Sequence, residues 1–164
     1  MILPFRDGGK LIWATAGAVT PSSFAAFFVS LKGFERVAFY MRVATGASGV
    51  TPIAVSLRQA KTIAGGSEKA LSFVKAYRKL DYPGSPVSQD TAEFAVVADT
   101  FTFDATVSKN NLYSIEVNRT DLDVGNDFDC VGIDFGDGAA QTVDCVALLL
   151  GSKNGRVSSN PLID

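Results

Sequence analysis

The chain contains no histidine. That absence excludes Ser-His-Asp and Cys-His nucleophile activation, an imidazole proton shuttle and any histidine-ligated metal. With two cysteines in 164 residues, Cys130 and Cys145, no disulfide framework holds the fold together. Charge is scarce as well: Asp, Glu, Lys and Arg make up 20% of the residues, below the usual quarter. The 15 basic and 17 acidic groups sum to −2, which gives no electrostatic pull toward nucleic acid or an anionic membrane. No apolar run approaches the ~20 residues of a bilayer-spanning helix; residues 24–31 and 143–150 come nearest. The first nine residues lack a basic region followed by an apolar one, so no secretory signal is expected.

What is present is apolar. Hydrophobic residues make up 47% of the chain, with 12 Phe, and mean hydropathy is +0.20. A chain of this length buries roughly 70% of its unfolded surface and forms one domain. So little charge fits a protein that covers part of its outside with a neighbour.

Helical spacing is rare and alternation is common. From Arg36, Val37, Phe39, Met41 and Val43 take one parity, while Ala38, Tyr40, Arg42 and Ala44 take the other. This is the period of a strand. Similar alternation predicts strands at 53–58, 70–77, 94–97, 101–103, 112–117, 128–135 and 142–150, with further strands at 11–14 and 27–31. In the 70–77 segment, Leu71, Phe73, Lys75 and Tyr77 are expected on one face. The stretch 23–31 also fits helical spacing, but its Phe and Val favour a strand. Glycine and proline punctuate the series at 46–52, 64–68 and 81–86. Short strands at this spacing predict an all-β fold, an antiparallel β-sandwich with a jelly-roll-like path. The expected organisation is an N-terminal arm with the first strand (1–23), the sandwich (24–151) and a polar C-terminal tail (152–164).

The densest polar cluster is Asp121-Leu122-Asp123-Val124-Gly125-Asn126-Asp127-Phe128-Asp129. Oxygen-rich spacing invites calcium. An EF-hand is excluded, because counting from Asp121 puts Asn126 where glycine is required and Gly132 where a bidentate glutamate is required. A β-loop calcium site is one reading; Asp and Asn capping their own turns is the stronger one. Paired carboxylates for glycoside hydrolysis would come from Glu93, Glu116, Asp129 and Asp134, and nothing raises one above another. No cofactor is expected.

Asp137-Gly138 is a hairpin signal. A turn centred there sets Cys130 opposite Cys145 but mixes apolar and polar residues on one face. A shift of one residue aligns Val131 with Val143 and sends the thiols to opposite faces. Buried free thiols are the preferred reading, a disulfide the alternative. Trp13, among Leu11, Ile12 and Ala14, reads as a core or interface anchor.

Two segments carry a resemblance. Leu57-Arg58-Gln59-Ala60-Lys61-Thr62-Ile63-Ala64-Gly65-Gly66-Ser67-Glu68-Lys69-Ala70-Leu71 resembles a stretch of small virion proteins of tailed bacteriophages, in which a strand ending in Gln-Ala leads through a Gly-rich turn to Lys-Ala-Leu. Leu112-Tyr113-Ser114-Ile115-Glu116-Val117, followed by Asp121-Leu122-Asp123 and Phe128-Asp129-Cys130-Val131, is similar to their C-terminal half. The resemblance covers residues 34–151. It implies a capsid decoration (cement) protein seated on the outer surface of the head and bridging neighbouring subunits of the major capsid protein. It implies no catalytic residue, and the chain is expected to be no enzyme. A homo-oligomer, dimer or trimer, is expected, with neither nucleic acid nor membrane as partner. The expected contact residues are Ile2, Leu3, Phe5, Trp13, Phe24 and Phe28, chosen from the arm and the aromatics. A carbohydrate-binding sandwich module of a head or tail fibre is the alternative, and an enzyme with two carboxylates comes third.

Overall fold

The computed structural model describes residues 2–4, 9–15, 17–45, 53–79, 92–102, 111–136 and 141–151. The turn expected at 46–52, the loop at 81–86, Asp137-Gly138, Phe5 and the tail after Gly151 lie outside them. Among the described residues there are twelve strands: β1 (Ile2–Pro4), β2 (Lys10–Trp13), β3 (Phe27–Ser30), β4 (Arg36–Thr45), β5 (Ala54–Ala60), β6 (Lys69–Ala70), β7 (Phe73–Lys79), β8 (Ala92–Ala98), β9 (Thr100–Thr102), β10 (Asn111–Asn118), β11 (Cys130–Phe135) and β12 (Gln141–Leu150). Single 3-10 turns at Pro21–Ser23, Arg119–Asp121 and Val124–Asn126 are the only helical elements among the described residues. The fold is all-β, and every strand pairing is antiparallel.

Seven strands form one sheet, in the order β1-β2-β12-β4-β10-β7-β8. A second sheet runs β3-β11-β5-β6, with β9 beside β6 on the same edge of β5. From β2 to β5 the chain changes sheet at each step, and it does so again from β9 to β12.

The alternation in the sequence is the reason these segments pair as they do. Val37, Phe39, Met41 and Val43 of β4, Tyr113, Ile115 and Val117 of β10, and Val143, Cys145, Ala147 and Leu149 of β12 all turn inward and are buried. They meet Val29, Val55, Leu57, Val131 and Ile133 of the smaller sheet in one continuous core. Each large side chain so buried contributes about 1.5–3 kcal/mol. Phe24, next to the first 3-10 turn, sits edge-on against Phe135, with ring centroids 4.6 Å apart.

Two expectations are corrected here. The first concerns β11 and β12, which do not form a hairpin. β11 pairs with β3 and β5, while β12 pairs with β2 and β4 in the other sheet. Their apolar faces meet across the core rather than lying side by side. Cys145 therefore lies in the main core, whereas Cys130 packs with Phe28 and Ala60 on the far side of the smaller sheet. Both thiols are buried, and the two cysteines are not joined in a disulfide.

The second concerns β7, where the register with β8 shifts between Phe73 and Lys75. Across this irregularity, where β8 carries the extra residue, burial passes from Phe73 to Ala76, so the single face expected from Leu71 to Tyr77 breaks there.

Candidate functional site

The two outer faces of the sandwich differ, and that difference locates the site. On the smaller sheet the outer face carries Ser56, Arg58 and Asp134, with Ser56 and Thr100 hydroxyls bonded at 3.3 Å. Its apolar remainder is already covered. Phe28 lies across Gly132, its cross-strand partner, and packs with Ala60, Cys130 and Ile63. The 61–66 turn closes over it, and the Phe28 ring reaches Gly65, whose positive φ of 78° lets the turn approach that closely.

The seven-stranded sheet has no such cover among the described residues. Across five strands, register aligns Trp13 (β2), Val146 (β12), Tyr40 (β4), Ser114 (β10) and Tyr77 (β7) in one row on the outer face. Beside it runs Leu11, Leu148, Ala38 and Glu116. Trp13 is 46% exposed and Tyr40 40%. Leu11, Leu112, Val146, Leu148 and Leu150 are half-buried on the same face. Neighbouring strands lie ~4.8 Å apart and successive rows ~7 Å apart, so the patch covers roughly 20 by 14 Å. That is about a third of the roughly 800 Å² per partner that a standard interface buries.

Among the described residues, charge on this face stands toward the two ends of β4. Arg42 pairs with Asp144 toward one end of β4, and Arg36 with Glu116 at 3.5 Å toward the other. Each pair is neutral, and exposed pairs of this kind contribute little to stability. They leave a rim with both signs of charge around a bare centre.

The expected contact residues divide accordingly. Trp13 is exposed and sits in the patch. Ile2 and Leu3 belong to β1, opposite Ile12 and Leu11, so the arm begins as an edge strand of the same sheet. Phe24 and Phe28, expected as exposed aromatics, are buried at 9% and 5%. Phe24 fills the core against Phe135, and Phe28 fills the space above Gly132. Tyr40, Leu11, Val146 and Leu148 were not singled out by sequence reasoning. The signal was an outward parity in β12 that is itself apolar: Val146, Leu148 and Leu150 alternate with core residues that are also apolar.

The acidic loop is organised by its own chain. Asp121 Oδ2 accepts the Asn118 N–H at 2.8 Å, closing a capping box. Asp123 accepts both from Lys69 and from Asn126 Nδ2, and its N–H donates to Gln59 Oε1 at 2.8 Å. The hydrogen bond from Lys69 is the main reason its carboxyl titrates below the ordinary value. The Lys69 ammonium also lies 4.2 Å from the centre of the Phe128 ring, with Lys61 at 5.4 Å. A lysine thus holds the carboxylate that a cation would have taken. Among the described residues, no three Asp, Glu or Cys side chains gather to hold a metal.

Of the four carboxylates considered for catalysis, Glu116 and Asp134 lie on the outer faces of opposite sheets, with the core between them. They cannot flank one bond. Asp129 accepts a hydrogen bond from the Cys130 thiol at 3.3 Å, and the Glu93 side chain lies outside the described residues.

No family model matches the sequence, and no curated protein does. Among solved structures, the chain is similar to the crystal structure of the SPBc2 prophage-derived protein YomS. Identity is 10%, the TM-score is 0.42, and the match covers 86% of this chain and 91% of that one. A likeness that loose transfers no role to any residue here.

Proposed function

We propose that the chain is a structural protein of a bacteriophage virion that binds the outer surface of the head and stabilises it by bridging neighbouring capsid subunits. One observation supports this most: the exposed Trp13 and Tyr40, joined by half-buried Val146 in one row on the outer face of the seven-stranded sheet. Leaving large side chains exposed costs about 1.5–3 kcal/mol each relative to burial, and a partner surface recovers part of that. The two virion-like segments in the sequence supply the choice of partner, the major capsid protein. Repeated copies on a shell add their interface energies through avidity.

Cryo-electron microscopy of the source particle tests the reading. Density for this fold on the outer head shell, with the seven-stranded sheet turned to the capsid, is the expected result; heads that lack the protein refute it. The row Trp13, Tyr40, Tyr77 also favours a second reading, carbohydrate binding on an aromatic strip. Glycan-array binding that is lost on Trp13→Ala would support that reading instead.

A further inference from the structure

The two outer rows of the seven-stranded sheet cover about a third of the area that one partner contributes to a standard interface, so a partner seated on them must reach beyond them. Both rows run toward one place. The first ends at Tyr77 of β7 and the second at Glu116 of β10. These two residues stand in the wall of a cleft of about 510 Å³.

Below its mouth the cleft is apolar. Leu57, Leu71, Phe73 and Val117 line it, and all four are buried. Leu57 comes from β5 of the smaller sheet, so the cleft reaches the core between the sheets. The Leu57 N–H donates to Asp99 O at 2.8 Å and its carbonyl accepts the Leu71 N–H at 3.0 Å, which fixes this floor. Ser72, Asn118 and Asp121 complete the rim. Both rim carboxylates are already engaged. Arg36 pairs with Glu116 at 3.5 Å, and Asp121 Oδ2 accepts the Asn118 N–H at 2.8 Å and its Nδ2 at 3.3 Å.

We infer that this cleft receives a large uncharged side chain, aromatic or aliphatic, projecting from the partner surface that covers the Trp13 row. The inference rests on the capsid reading for the partner and on the cleft alone for the chemistry. A charged side chain entering here would lose its hydration and find the rim carboxylates occupied. An apolar one exchanges water for contact with four buried apolar side chains. Its position beside the flatter rows is that of an interface anchor, the kind of residue that carries most of the binding energy between proteins.

One assay without heads and one with them keep the two readings apart. N-acetyl-phenylalaninamide, titrated into the full chain and followed by heteronuclear NMR, should saturate and shift the amides of residues 71–73, 77 and 116–118. N-acetyl-lysinamide should not. Ser72→Trp, at an exposed position in the mouth, should weaken the phenylalanine probe at least tenfold with an unchanged thermal midpoint. In co-sedimentation with heads stripped of the protein, the same variant should weaken binding at least tenfold, and saturating phenylalanine probe should do so for the unaltered chain. The inference is overturned if that probe fails to saturate, if it shifts other amides instead, or if the lysine probe binds equally well. It is overturned too if the unaltered chain binds heads and neither Ser72→Trp nor the probe weakens that binding. An unaltered chain that binds no heads refutes the capsid reading, and the titration still decides whether the cleft takes an apolar side chain.

Discussion

Adding one methyl group at Gly132 tests why one face of the sandwich is closed and the other bare. A Cβ built at Gly132 would lie 2.4 Å from Phe28 Cδ1, 2.5 Å from Cε1 and 2.7 Å from Cγ. Carbon atoms pack at about 3.5–4.0 Å, so the ring must retreat by more than 1 Å. Behind it stands Gly65, where a Cβ would already be 3.2 Å from Phe28 Cε2. The ring is therefore held between two glycines and has to leave. Overpacking costs 1–3 kcal/mol, and expelling a phenylalanine ring forfeits a similar amount, so Gly132→Ala should cost about 2–3 kcal/mol. For a chain of this length that lowers Tm by roughly 4–12 °C.

Urea unfolding of a double-mutant cycle isolates the contact. Phe28→Ala alone should cost about 3–5 kcal/mol. In that background, Gly132→Ala should cost nothing or stabilise slightly, because the methyl enters vacated space and glycine in a strand carries an entropic penalty of roughly 0.5–1 kcal/mol. A Gly132→Ala cost below about 0.5 kcal/mol, or an equal cost in both backgrounds, would refute the reasoning.

Two other buried groups give distinct outcomes. Lys10 is 7% exposed, its Nζ lies 5.8 Å from the centre of the Phe34 ring, and desolvation lowers its pKa below the ordinary lysine value. Between the folded and the ordinary value the unfolded chain binds more protons, so stability should rise with pH up to about 10.4 and fall as pH drops back through the folded value. Lys10→Met should raise the urea midpoint at pH 7 and remove that alkaline rise; parallel curves for the two proteins would contradict the assignment. Burial pushes the Cys145 thiol well above the usual range, and Cys130 is equally enclosed. Neither thiol should react with Ellman's reagent in the native protein and both should react in guanidinium, whereas fast native labelling would show that the core is open.

The strands were legible wherever one face was buried and the next residue was polar, as along β4 and β10, because alternation records burial directly. Sheet membership was not. A signal such as Asp137-Gly138 does not say which strands will pair, and β11 and β12, on either side of it, lie in opposite sheets. Aromatic exposure was not legible either. Phe28 became a core residue because Gly132 stands opposite, a partner 104 positions along the chain that no local pattern reveals. Gly132 itself held a signal, since a glycine inside a strand marks close approach by another group. The break in β7 was not legible, because Leu71 to Tyr77 alternates smoothly through the register shift with β8.

Co-sedimentation of the protein with heads stripped of it measures the central claim directly. Trp13→Glu and Tyr40→Glu place charge in the bare row, while Ser56→Glu and Arg58→Glu alter the outer face of the other sheet. With folding matched by circular dichroism, the first pair should lose capsid binding by at least a hundredfold and the second pair should keep it. Binding that survives Trp13→Glu and Tyr40→Glu, or that is lost with Ser56→Glu and Arg58→Glu instead, would contradict the assignment of the seven-stranded face.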